Sequence, residues 1–181
     1  MFSWLLAIIL AYLFFSFSSL GDKLILSGPP KPRTYTFFVG LFGLSVILFI
    51  PFIKFALPNK EAIFWIISEA IIYILAIYVA FSAVKKFEVS RVATTMGATM
   101  PIFVLALTWI FWTGQTMSKT NLLAFILLLL GGIIISIEKK LKPADGYLKL
   151  TLLASFLFSV DYVITKIIFE AEPFLLGLFW M

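Results

Sequence analysis

Long apolar runs, separated by short polar breaks, divide the chain into six segments and a stub. The runs cover approximately 2–21, 34–53, 61–84, 91–113, 120–138 and 147–169, with a further apolar stretch at 173–181. A helix needs roughly 20 apolar residues to cross a hydrocarbon core about 30 Å thick, so each run predicts one membrane-spanning helix. The breaks have local causes. SGPPKPR (27–33) carries three prolines, which withhold backbone donors; ALPNKE (56–61) and KKFE (85–88) bring turn residues or charge; EKKLKPADG (138–146) brings both. Connections this short predict antiparallel packing of consecutive helices. The first run has no Lys or Arg before it, shows no small-x-small cleavage site and recurs internally, which favours a retained helix over a signal peptide. Trp4, Tyr35, Trp109, Trp112, Tyr147 and Trp180 fall near run ends, as interfacial belts do.

The recurrence is specific. Residues 11–26, AYLFFSFSSLGDKLIL, align without a gap on residues 154–169, ASFLFSVDYVITKIIF, matching at Ala11/Ala154, Phe15/Phe158, Ser16/Ser159, Lys23/Lys166 and Ile25/Ile168. FFVGLFG (37–43) then pairs with FLLGLFW (174–180), the phase having slipped by six positions in a shortened loop. A repeat of five helices is odd-numbered, so its second copy must enter the membrane from the opposite side. The predicted fold is all-α, a polytopic helical membrane protein with an inverted five-helix repeat. Residues 1–142 form the first copy, and 143–181 supply the sixth helix and the beginning of the seventh. The chain ends within an apolar run, so a truncated second copy is expected, one that does not transport alone. Inverted repeats are a mark of transporters whose solute binds between the halves.

Composition sharpens this. Apolar residues make up 62% of the chain, against about 45–50% in soluble domains, and mean hydropathy is +1.11. The net charge of +5 sits in short loops, as topology signals do, which argues against nucleic acid as a partner. Without Cys or His, thiolate nucleophiles, imidazole bases, disulfides and the usual zinc and haem sites are disfavoured. No metal or other cofactor is expected, and no enzyme.

Two carboxylates interrupt the apolar runs. Glu69 lies in WIISEAIIYI and Asp161 in FSVDYVI. A charge at mid-helix costs on the order of 2.5–3.5 kcal/mol on insertion scales, so each is expected to face protein or a water-filled cavity. They would bind a cationic or zwitterionic solute or exchange a proton; alternatively, Asp161 bonds Thr165 one turn on and Glu69 reaches interfacial water. Helical spacing puts Ala11, Phe15, Ser18 and Asp22 on one face and Ala154, Phe158, Asp161 and Thr165 on the equivalent face of the repeat, making Ser18 and Asp161 counterparts. Ser16 and Ser159 belong to a second polar stripe, although hydroxyls in membrane helices more often bond their own backbone. In ATTMGATMP (93–101), Ala93, Gly97 and Pro101 have the small-xxx-small spacing of close helix packing. Pro101 crowds the Gly97 carbonyl and suggests a hinge, while Thr94, Thr95 and Thr99 could satisfy freed groups or touch solute.

Residues 83–135 resemble the third-to-fifth-helix region of EamA-like proteins in the drug/metabolite transporter superfamily. Ser90, Arg91, Val92, Ala93, Pro101, Gly114 and Gly131 or Gly132 stand in the pattern's places, and Phe15, Ser16 and Lys23, with Phe158, Ser159 and Lys166, fit its first-helix signature. Gln115 departs from the Glu that usually follows Gly114. The resemblance implies an incomplete permease or exporter of a small metabolite or drug, working by alternating access as a multi-pass protein of the plasma membrane. Its partners would be the lipid bilayer, a small-molecule solute and a coupling proton. Two alternatives stay open: a small proton-coupled cation exporter acting as a homodimer, and a membrane scaffold with no solute path. Lys and Arg crowd the loops after the first, third and fifth helices, which puts the N-terminus outside; the resemblance implies a cytoplasmic N-terminus.

Overall fold

A computed structural model describes residues 3–52, 55–112, 118–137 and 146–181. Gly114, Gln115 and most of the loop 138–146 lie outside the described residues. Among the described residues, seven α-helices follow in order: α1 (Ser3–Ser27), α2 (Pro32–Gly43), α3 (Lys60–Lys86), α4 (Val89–Phe111), α5 (Lys119–Ile137), α6 (Tyr147–Ala171) and α7 (Phe174–Trp180). Among the described residues there is no strand. Among these residues, five helical spans are long and apolar enough to cross a membrane, and α5 adds a shorter apolar helix. Side chains such as Leu24 and Phe52 lie open on the outside, where lipid rather than water is the natural solvent.

Two elements differ from the sequence reading. The second span is α-helical only to Gly43 and continues as a 3₁₀ helix from Leu44 to Phe52, which contains Pro51. The tighter winding rises about 2.0 Å per residue instead of 1.5 Å, so the stretch still reaches across a bilayer. The first span runs six residues past its expected end at residue 21, to Ser27. Asp22 and Lys23, which looked like a boundary, are both satisfied inside the protein. Tyr35 OH donates to Asp22 Oδ1 at 2.6 Å, and Lys23 Nζ donates to Val84 O at 2.7 Å and Phe87 O at 2.8 Å. The latter carbonyls lie at the C-terminus of α3, where helical partners run out and a cation is favoured.

Contacts fix the directions of the helices. Between α3 and α6, Asn59 N meets Glu172 Oε1, Glu69 meets Asp161 and Tyr73 meets Phe158, so one number rises as the other falls and the two are antiparallel. Between α4 and α6, Thr95 meets Tyr147, Thr99 meets Ser155 and Trp112 meets Lys166, so these two are parallel. The C-termini of α1 and α3 gather with the N-termini of α2, α4 and α6 around Leu26, Ala83, Val84, Val92 and Tyr147. Hence α6 runs opposite to α1, the sense an inverted copy requires. Flanked by α3 and α4, α6 is the most buried span, while α1 and α2 pack outside α3, and α5 outside α4.

Asn59 caps α3 by accepting from Ala62 N at 2.7 Å, and Trp180 Nε1 donates to Ala56 O at 3.0 Å, which ties α7 to the start of α3. At Gly177 a Cβ would stand 3.0 Å from Phe169 Cδ1. Overpacking of this kind costs about 1–3 kcal/mol, so Gly177→Val is expected to unseat α7 from α6. Faster hydrogen exchange confined to residues 174–180 is the readout; unchanged exchange there would count against the contact.

Candidate functional site

The polar interior is built from both flanks of α6. On the α4 side, hydroxyls recur every fourth residue: Tyr147, Thr151, Ser155 and Ser159, all buried. Each helical turn brings one onto the same stripe, and α4 answers with Thr95 and Thr99. Thr95 Oγ1 lies 2.6 Å from Tyr147 OH, which in turn donates to Arg91 O at 2.7 Å. Thr99 Oγ1 donates to Ser155 Oγ at 2.7 Å, and Ser155 Oγ donates to Thr151 O at 2.8 Å. Ser159 Oγ lies 2.7 Å from Ser155 O and 3.1 Å from Met100 O. This ladder is satisfied and holds α4 against α6. Interhelical hydrogen bonds in membranes average about 0.6 kcal/mol, and Ser155 keeps its bond to Thr151 without Thr99, so Thr99→Val is expected to cost less than about 1 kcal/mol in detergent unfolding.

The α3 side differs. Glu69 and Asp161 are 5% and 6% exposed, and their carboxyls meet within hydrogen-bonding reach across the α3–α6 interface. Such a bond needs a proton on one partner, because two carboxylates offer only acceptors. The outer oxygens are not satisfied: Glu69 Oε2 and Asp161 Oδ1 are buried with no hydrogen-bond partner. Among the described residues no Lys or Arg is paired with either group, and the nearby cation Lys166 lies 3.7 Å from Glu170 and over the Trp112 ring. Two tyrosines lie near the pair. Tyr73 lies one turn beyond Glu69, with its ring 6.4 Å from that of Phe158, and Tyr73 and Tyr162 are both close enough to feel the Asp161 carboxyl. Two buried carboxyls with unpartnered oxygens form a site suited to a proton or an organic cation, which carboxylate charge would attract.

The remaining candidates are placed as follows. Ser16 is exposed on α1 and donates to Tyr12 O at 2.8 Å, and Ser18 is exposed as well, so neither bonds the buried pair. Thr94 bonds its own helix at Ser90 O, whereas Thr95 belongs to the ladder. The helix α4 passes through Pro101 without interruption, and a Cβ at Gly97 would meet nothing within 4 Å. Sequence reasoning missed Tyr147, Thr151 and Ser155, although their four-residue spacing was visible. It also missed Tyr73, which only packing against Phe158 reveals.

Among the described residues, five helices long and apolar enough to cross a membrane, with two carboxyls and a row of hydroxyls buried among α3, α4 and α6, define a multi-pass membrane protein. Residues 2–137 match the EamA-like transporter family, and the chain belongs to that family. Its members are membrane transporters of small solutes, not enzymes. Comparison with curated proteins and with solved structures gives no match.

Proposed function

We propose that this chain supplies, at Glu69 and Asp161, the binding site of a transporter that takes up a small cationic or zwitterionic solute and moves it across the plasma membrane by alternating access, in exchange for a proton. The meeting of two buried carboxyls with unpartnered oxygens carries this reading. Groups so costly to bury persist where they are used, and an incoming cation would displace the proton they share. The reading treats residues 1–142 as the first five-helix unit and 143–181 as the start of an inverted second, supported by the repeated sequence and by the opposed directions of α1 and α6. The central place of α6 then sets Asp161 at the junction of the two units.

The test is proton counting. When a cationic or zwitterionic solute binds to the detergent-solubilised protein in weakly buffered solution, about one proton should be released per solute. Binding without release, or equal preference for anionic solutes, would sink the proposal.

A further inference from the structure

A second site lies between α2 and α3, on the outside of the bundle. A groove of about 690 Å³ runs along α2 from Arg33 through Thr36, Gly40 and Leu44, with Ile74 and Tyr78 of α3 forming the other wall. Its α2 lining follows the i, i+3, i+4 spacing of one helix face. Arg33 marks the end of the bundle where Lys31 and Lys86 also stand, and among the described residues no carboxylate is paired with it. Deeper in, the lining is apolar apart from the Tyr78 phenol and Thr36. Thr36 is only 7% exposed, and its Oγ1 has no hydrogen-bond partner. Thr94 and Thr108 return their hydroxyls to the carbonyl four residues back, at 2.7–2.8 Å. Thr36 has the same option at Pro32 and does not take it.

From these features we infer that the groove binds one anionic phospholipid, with its phosphate on Arg33, a glycerol ester oxygen on Thr36 and one acyl chain lying along Gly40 and Leu44. Dimensions agree. Arg33 to Leu44 spans about 16 Å of helix, close to the roughly 15 Å depth of one leaflet, and Thr36 lies about 4.5 Å below Arg33, where the ester groups follow the phosphate. A lipid tail gains little by leaving other tails, so selection must come from the headgroup. Arginine offers a planar fork to phosphate oxygens, and basic pockets between membrane helices are suited to anionic heads. A zwitterionic head would bring its own ammonium towards Arg33, Lys31 and Lys86. A parallel two-fold contact with a second copy would set Arg33 against its twin.

Native mass spectrometry of the full chain, released from detergent containing equal phosphatidylglycerol and phosphatidylcholine, tests this directly. One phosphatidylglycerol should be retained in preference to phosphatidylcholine. Arg33→Gln should cut its retention at least tenfold and Thr36→Val several-fold. Gly40→Leu should abolish it by filling the groove, since a Cβ at Gly40 meets nothing within 4 Å. Lys119→Gln, at the opposite end of the bundle, should change nothing, and circular dichroism confirms that each variant is folded. Equal retention of the two lipids, or phosphatidylglycerol binding that survives Arg33→Gln, would overturn the assignment. So would a Gly40→Leu protein that keeps the lipid but loses solute binding, since the groove would then belong to the solute's path. The lipid site stands on its own observations whether or not Glu69 and Asp161 exchange a proton.

Discussion

Glu69→Gln and Asp161→Asn are each expected to abolish solute-linked proton release and to weaken solute binding at least tenfold, about 1.4 kcal/mol, while leaving the fold intact. Both substitutions keep the size and polarity of the side chain. An amide can donate to the remaining carboxyl, so the α3–α6 interface keeps a hydrogen bond where the native pair has one. What disappears is the exchangeable proton. Stability separates a functional pair from a structural one. Replacing buried ionisable groups with neutral groups of similar volume is often neutral or stabilising by about 1–4 kcal/mol, because the cost of removing charge from water is no longer incurred. The double variant should therefore unfold at the native temperature or above it, yet release no proton. A double variant that unfolds several degrees earlier and still binds solute normally would show that the pair is only a brace.

Lys23→Met should give the largest loss of stability, about 2–4 kcal/mol, read as a fall in the detergent unfolding midpoint. The Lys23 ammonium bridges Val84 O and Phe87 O at the end of α3, and hydrogen bonds to charged groups contribute about 1.5–3 kcal/mol each. Methionine retains the apolar stem but none of the donors. The freed carbonyls lie beside the small core of Leu26, Ala83, Val84, Val92 and Tyr147, where water replaces the ammonium poorly. Lys23→Arg should recover part of the loss, since a planar fork holds donors but cannot match the geometry of a compact ammonium. By contrast, Lys31→Met should have little effect, because Lys31 is exposed. Equal midpoints for Lys23→Met and Lys31→Met would refute the bracing role.

Hydrophobic length and breaker residues are local properties, and they located the spans, although α1 runs six residues past its expected end. Pro32, Asn59 and Gly146 stand at helix starts, where a missing donor, a capping side chain or a positive φ of 83° fits. The cost of a charge in lipid is also local, which is why Glu69 and Asp161 stand out in the sequence by itself. Pairing is not local. That two residues so far apart meet each other depends on α6 lying antiparallel against α3, and no periodicity within either helix specifies a partner. The same limit explains Lys23, which looked like a span boundary because its acceptors lie at the end of another helix.

Ser16 and Ser159 illustrate the division most plainly. The repeat makes them equivalent in sequence, yet one is exposed on α1 and bonded within its own turn, while the other is buried between α6 and α4. The sequence alone determined where long apolar helices form, where the chain turns, and which side chains are too polar to face lipid, because each follows from transfer free energies and backbone chemistry over a few residues. Only the tertiary structure decided which of those polar groups satisfy one another and which are left with open valences, because that depends on which helix faces pack together.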